Sequence, residues 1–259
     1  MTKINKVKIF GERNTGTNYL YRLIDINFNV KLLRGTAPHL IYSFFKRLKE
    51  MHIIDEFSEF EEYLIDRYFD IKKTTNLGWK HALISDTFRK FLKTYEEDTL
   101  FLTLTKNPYA WLLSMYRKPY HYLRNVKSFQ HFLSKTYTCV DRENARNFEN
   151  PVIMWNEKNR SYLNLQKLKN AKSLRFEDLL RNPIMEVNEI AQRFNIKLLK
   201  EDVENFENST KDKKKSFNFY QEYYLKEKWK EELTKQDIRT INRHLDKNIM
   251  KKFNYKMIK

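Results

Sequence analysis

The chain is 259 residues long, 41% hydrophobic and 15% aromatic, which excludes a disordered segment and leaves room for one large α/β core or two small ones. Its formal net charge of +17 points to an anionic partner, a class that holds nucleic acid, phosphorylated nucleotides, acidic glycans and membrane surfaces. One cysteine, Cys139, excludes an internal disulfide framework, fits a reducing compartment, and reads as a small hydrophobe rather than a nucleophile.

The N-terminal MTKINKVKIF lacks the apolar core of a signal peptide, and no apolar run approaches a membrane span. A cytoplasmic protein without a transmembrane segment is expected, with peripheral membrane contact left open. Lys6 to Phe10 predicts a short buried strand ended by Gly11. Thr17 to Phe28 predicts a helix, with Leu20, Leu23, Ile24 and Phe28 at helical spacing. Residues 34–76 carry no readable motif and are expected to be an insertion that shapes an acceptor pocket. Within them, Asp55 to Asp70 predicts an amphipathic helix with a stripe of Phe57, Phe60, Leu64 and Tyr68. Leu77 to Leu83 predicts a strand and Thr87 to Tyr95 a helix. Thr99 to Thr105, TLFLTLT, is the clearest strand, and a helix opens after it at Pro108, a favoured first-turn residue. A helix over Pro151 to Leu168, a strand over Ala171 to Phe176 and a helix over Pro183 to Phe194 follow. Residues 205–259 read as a helical C-terminal part ending in a helix from Thr234 to Met250. This alternation predicts a single α/β domain whose mainly parallel central sheet is flanked by helices.

Only four glycines exist, and two of them, Gly11 and Gly16, sit in KIFGERNTGTNYL, between the first strand and the first helix. A strand, a glycine-bounded loop and a helix start form an anion cradle, because loop N–H groups and the helix dipole both point positive charge inward. Gly11 to Asn18 is therefore expected to hold a phosphate, the alternative being a tight strand–helix turn with nothing bound. The spacing Gly11-x-x-x-x-Gly16 is that of a P-loop. Thr17 and Asn18 follow, where a nucleotide kinase or NTPase would carry Lys and Ser or Thr for the phosphates and Mg²⁺. No metal is expected.

Thr15-Gly16-Thr17-Asn18-Tyr19 resembles the 5′-phosphosulfate loop of sulfotransferases that use 3′-phosphoadenosine 5′-phosphosulfate (PAPS), and GERNTGTNYL resembles a bacterial branch linked to modification of saccharides and surface glycans. Lys106 to Ser114, KNPYAWLLS, is similar to that family's 3′-phosphate site, with Lys106 in place of an arginine and Ser114 eight residues on. Arg175 to Leu180, RFEDLL, resembles a third, weaker family segment. The resemblance implies a P-loop-like fold and a nucleotide sulfate donor. It implies donor binding by Gly11, Arg13, Asn14, Thr15, Gly16, Thr17, Asn18, Tyr19, Lys106 and Ser114, with Lys214 and Lys215 closing over the 3′-phosphate. Asn14 stands at the family's loop lysine, and Arg13 is the expected substitute. Tyr19 takes the place of an adenine-stacking aromatic, or else packs in the core. The family's C-terminal Arg-Lys-Gly segment is absent, and the KDKKK run at Lys211 to Lys215 is either its replacement or a solvated loop.

Among six histidines, His81 in GWKHA is the candidate general base, with Lys80 beside it stabilising the transferring group. On a regular strand the two would face opposite ways, so both reach a cleft only if the strand ends there. A glutamate base stays open, and His121 is a candidate lining residue of the acceptor pocket. The acceptor is expected to be a saccharide, without specific nucleic-acid binding. Two other readings compete. One is a P-loop kinase or NTPase; the other is a basic nucleic-acid-binding protein, supported locally only by KDKKKSFNFYQEYY.

Overall fold

The computed structural model describes residues 3–55, 58–120, 125–207 and 215–259. Four strands form one sheet: β1 (Lys6–Gly11), β2 (Lys31–Leu33), β3 (Thr99–Thr105) and β4 (Ala171–Arg175), in the order β2-β1-β3-β4 and parallel throughout. β3 is buried along its whole length and β1 along all but its first residue, as central strands covered on both faces must be. Their register pairs Gly11 with Leu104 and Lys6 with Thr99, so the two strands end together at one edge of the sheet. Ligands in parallel sheets collect at such carboxyl ends.

The helices follow in chain order. Between β1 and β2 runs α1 (Thr17–Asn27). Between β2 and β3 lie α2 (His39–Glu50), α3 (Glu59–Ile71), the single turn α4 (Lys73–Asn76) and α5 (Asp86–Lys93). Between β3 and β4 lie α6 (Pro108–Arg117), α7 (Phe129–Ser134) and α8 (Pro151–Leu165). After β4 come α9 (Phe176–Arg181), α10 (Pro183–Phe194), α11 (Phe217–Leu225), α12 (Lys235–His244) and α13 (Lys247–Lys252). The α6, α8 and α10 starts are written in Asn-Pro pairs. Asn107, Asn150 and Asn182 each cap a first-turn N–H, and the proline occupies the first helical position. No helix among the described residues is long and apolar enough to cross a membrane.

Three expectations are corrected. The strand expected over Leu77 to Leu83 is an irregular segment. β2 covers β1 only over Lys6 to Lys8, and Gly11 N bonds Lys80 O, but Leu77 (φ 56) and Gly78 (φ 80) turn the backbone out of the extended region before a ladder can form. The helix expected over Thr234 to Met250 is two, because Leu245 is extended and the Asp246 carboxylate accepts from Asn248 N and Ile249 N to start α13. In α3 the buried face is Ile65, Asp66 and Phe69, while Phe60 is exposed; Phe57 lies outside the described residues. Asp66 is inward because it pairs with Arg142 at 2.6 Å.

Candidate functional site

The loop from Glu12 to Gly16 leaves β1 and winds into the first turn of α1. Gly16 holds φ 98, and a Cβ there would lie 2.5 Å from the Phe176 ring, so only glycine fits this conformation and this contact. Gly11 is forced by proximity alone: its Cβ would meet Leu104 O at 2.7 Å. No side chain caps α1, which leaves its positive end facing the cleft. Thr15 folds its hydroxyl back onto Glu12 O at 2.6 Å and is buried. Asn14, at φ 64, donates its amide to Ser114 O at 3.2 Å and Lys118 O at 3.0 Å. Its side chain therefore ties the loop to the end of α6.

An open-mouthed cleft of about 210 Å³ lies beside this loop. Its wall brings together Asn14, Gly16, Thr17, Asn18 and Tyr19 from the first motif with Lys106 and Ser114 from the second. Lys215 lines it as well, whereas Lys211, Lys213 and Lys214 lie outside the described residues, as does His121. Tyr19 is half-buried on the cleft wall, its ring 6.0 Å from that of Phe217 and its hydroxyl donating to Asn205 Oδ1 at 2.7 Å. Burial pushes that phenol's pKa up against the bond to Asn205.

Lys106 is buried at the end of β3, its ammonium 4.3 Å from the Phe176 ring centre and 4.2 Å from that of Tyr224. Such a slot between two aromatic faces holds a cation out of bulk water without a carboxylate. Ser114 Oγ donates to Ala110 O at 2.8 Å and lies 3.2 Å from Tyr224 Oη. The third motif contributes Phe176, which fills the space left by Gly16, and Glu177, whose Oε1 accepts from Asn107 N at 2.9 Å. Burial raises the Glu177 pKa against that bond and one from Tyr255.

Lys80 and His81 stand at the carboxyl end of β1. Gly11 N donates to Lys80 O at 2.9 Å, and Lys80 Nζ reaches Asn18 Oδ1 at 2.6 Å, at the first turn of α1. The buried His81 ring donates from Nδ1 to Gly11 O at 2.5 Å; a carbonyl can only accept, so Nδ1 carries the proton and Nε2 the lone pair. Burial holds its pKa well below the usual histidine value. The charges of Lys80, Lys158 and Arg13 push the same way, against the bond to Gly11. Arg13 lies with its guanidinium 5.2 Å from the Tyr120 ring centre; like Lys80 and His81, it stands behind the loop and is not part of the cleft wall.

Sequence reasoning missed a buried ionic cluster under the loop. Lys158 Nζ donates to Glu143 Oε2 at 2.7 Å, sits 3.4 Å from Glu12 Oε2, and donates to His81 O. Tyr120 donates to Glu12 and Tyr137 to Glu143, the latter at 2.5 Å. Burial raises the Glu12 pKa, the Lys158 charge pulls it back, and Glu143 adds to the rise. Also missed were Phe217, Tyr220 and Tyr224 of α11, whose tyrosine-rich stretch had signalled only a basic aromatic surface. Among the described residues, no group of three or more His, Cys, Asp or Glu is placed to hold a metal ion.

The family described as "Sulfotransferase domain" matches residues 5–257 of the chain. Among solved structures, the chain is similar to a sulfotransferase from Alicyclobacillus acidocaldarius, at 14% identity and TM-score 0.48, over 99% of this chain and 98% of that one. It is similar to the sulfotransferase domain from the curacin biosynthetic pathway, at 11% identity and TM-score 0.46, over 100% of both chains. It is similar to retinol dehydratase in complex with androsterone and inactive cofactor PAP, at 14% identity and TM-score 0.40, over 98% of this chain and 80% of that one. No curated protein matches. With almost its whole length matched, the chain belongs to the sulfotransferase domain family.

Proposed function

We propose that this family member moves a sulfuryl group from PAPS to a hydroxyl or amine of a saccharide or surface glycan. One observation carries the donor assignment: the uncapped start of α1 and the Lys106–Ser114 pair line the same cleft. A nucleotide with a 5′-phosphosulfate and a 3′-phosphate needs two such anion sites, joined by an aromatic surface for its base. Tyr19 and Phe217 supply that surface. The saccharide assignment is supported by the likeness of Gly11 to Leu20 to the glycan-modifying branch.

In this reading the α1 terminus and Asn18 hold the 5′ end, and Lys80, already beside Asn18, offsets the charge that grows on the leaving phosphate oxygen. His81 Nε2 accepts the acceptor's proton as its oxygen or nitrogen bonds to sulfur and the sulfur–phosphate oxygen bond breaks. His81 is suited to this because its other ring nitrogen is committed to Gly11 O and burial keeps it neutral at physiological pH. Asn14, with its amide spent on α6, orients the loop rather than standing in for a lysine.

Calorimetry with 3′-phosphoadenosine 5′-phosphate and a chelator present tests the donor site. Binding without Mg²⁺, and stronger than that of ATP, is expected; binding of either nucleotide only with Mg²⁺ would overturn the reading. Lys106→Ala should weaken bisphosphate binding by about 1.5–3 kcal/mol, the scale of one charged hydrogen bond. It should barely affect adenosine 5′-phosphosulfate, which lacks the 3′-phosphate.

A further inference from the structure

We infer that Tyr224 is a specificity-determining residue of the donor site, its phenol reading the 3′-phosphate together with Lys106 and Ser114. The inference rests on the reading of this cleft as the site of a 3′,5′-bisphosphorylated nucleotide. Lys106 Nζ donates to Tyr224 Oη at 3.2 Å, and Oη lies 3.2 Å from Ser114 Oγ. The serine's own hydrogen goes to Ala110 O at 2.8 Å, so the phenol hydrogen turns toward the serine oxygen. The result is a directed chain from ammonium to phenol to serine to carbonyl, closed in the absence of ligand.

The phenol is fixed before any ligand arrives. Tyr224 is 8% exposed, its ring stacked on Tyr220 at 6.2 Å and against the edge of Phe176 at 5.1 Å. A phosphate oxygen that reaches Lys106 and Ser114 therefore meets a third donor, and only hydrogens need to turn. Burial pushes the phenol's pKa up, yet the charge of Lys106, the hydrogen bonds it shares with Ser114 and Lys106 and the charge of Arg117 bring it below the usual tyrosine value, which strengthens the phenol as a donor to an anion.

Two consequences make this a selective contact. A ligand without a 3′-phosphate leaves the chain closed, with no buried polar atom stranded, so the phenol adds affinity only where that phosphate exists. The phenol also answers the substitution at 106. A lysine is a point charge and lacks the fork of an arginine, and Tyr224 Oη beside it supplies the second donor of a two-point grip.

The test is calorimetry on the full chain with Tyr224→Phe, using 3′-phosphoadenosine 5′-phosphate and adenosine 5′-phosphosulfate as probes. Phenylalanine keeps the ring contacts and loses only the phenol's hydrogen bonds, so the variant should fold with a thermal midpoint slightly below wild type. The bisphosphate should bind roughly 10–100-fold more weakly, the loss of one hydrogen bond to a charged group, and the phosphosulfate should bind as before. Equal losses for the two nucleotides, no loss for either, or tighter bisphosphate binding would overturn the inference, the last by making the phenol a plug. Wild type that binds neither nucleotide would instead defeat the donor-site reading beneath it.

Discussion

Lys158→Met tests whether one buried ammonium holds the phosphate loop and the histidine segment together. The wild-type charge touches Glu143 at 2.7 Å and Glu12 at 3.4 Å, with side-chain exposures of 0–1% on all three, and it also bonds His81 O. At an effective dielectric near 20 these pairs are worth roughly 6 and 5 kcal/mol before desolvation. Relief of the lysine's own desolvation offsets much of that. The expected net loss is about 3–5 kcal/mol, the usual result of stranding one side of a buried ion pair. The loss should depend on pH in a definite direction. Burial already raises the Glu12 pKa in the folded protein, and Lys158 opposes the rise. Without the lysine the rise deepens. A folded pKa above the unfolded one means stability recovers as pH falls through it, so the gap to wild type should narrow from pH 7.5 toward pH 5. Urea denaturation at both values reads this out. A loss below about 1 kcal/mol, or a gap that widens in acid, would refute the clamp.

Gly16→Ala places a side chain at φ 98 and 2.5 Å from Phe176. About 1–2 kcal/mol of backbone strain, plus displacement of a ring that also covers Lys106, should lower both stability and bisphosphate affinity; wild-type values for both would contradict the loop assignment. His81→Ala should keep donor affinity while turnover falls about 10²–10⁴-fold. In wild type the acidic limb of single-turnover transfer should lie below pH 6.5, because burial depresses the histidine. A limb at or above 6.5, or an unchanged profile in the variant, would move the base elsewhere, with Glu12 next in line.

The parts of the site that were legible are those whose chemistry is local. Gly11 and Gly16 announce a strand–loop–helix turn by spacing, and TLFLTLT announces a strand because Leu100, Leu102 and Leu104 alternate with β-branched or aromatic residues. Asn-Pro pairs mark helix starts because capping and the fixed proline φ act within one turn. What was illegible is long-range. Nothing in RFEDLL says that Phe176 fills the volume denied to Gly16, and nothing in QEYYL says that Tyr224 joins Lys106 to Ser114. Lys158 reads as a helix surface residue, and only Glu12 and Glu143, 146 and 15 positions away, make it an interior one. Leu77 to Leu83 had strand composition, but Leu77 and Gly78 take positive φ, and composition carries no record of backbone angle.

That last departure explains how two adjacent residues meet one loop. On a strand, Lys80 and His81 would point to opposite faces. Residues 76–81 instead cross the end of β1 without ladder pairing, and the turn at 80 and 81 sets Lys80 against Asn18 and His81 against Gly11 O. A segment without ladder bonds needs other partners for its carbonyls, and two buried ammoniums supply them. Lys8 Nζ donates to Asn76 O at 2.5 Å and to Gly78 O, and Lys158 Nζ donates to His81 O. The Lys8 clamp is the costlier of the two. Burial, with the nearby Lys80 charge, holds the Lys8 pKa well below the usual lysine value, and two neutral carbonyls stand in for a counter-charge. A destabilising group is tolerated there because it satisfies carbonyls that the missing ladder leaves unpaired. The same irregular backbone that defeats a strand assignment turns two neighbouring side chains toward one loop.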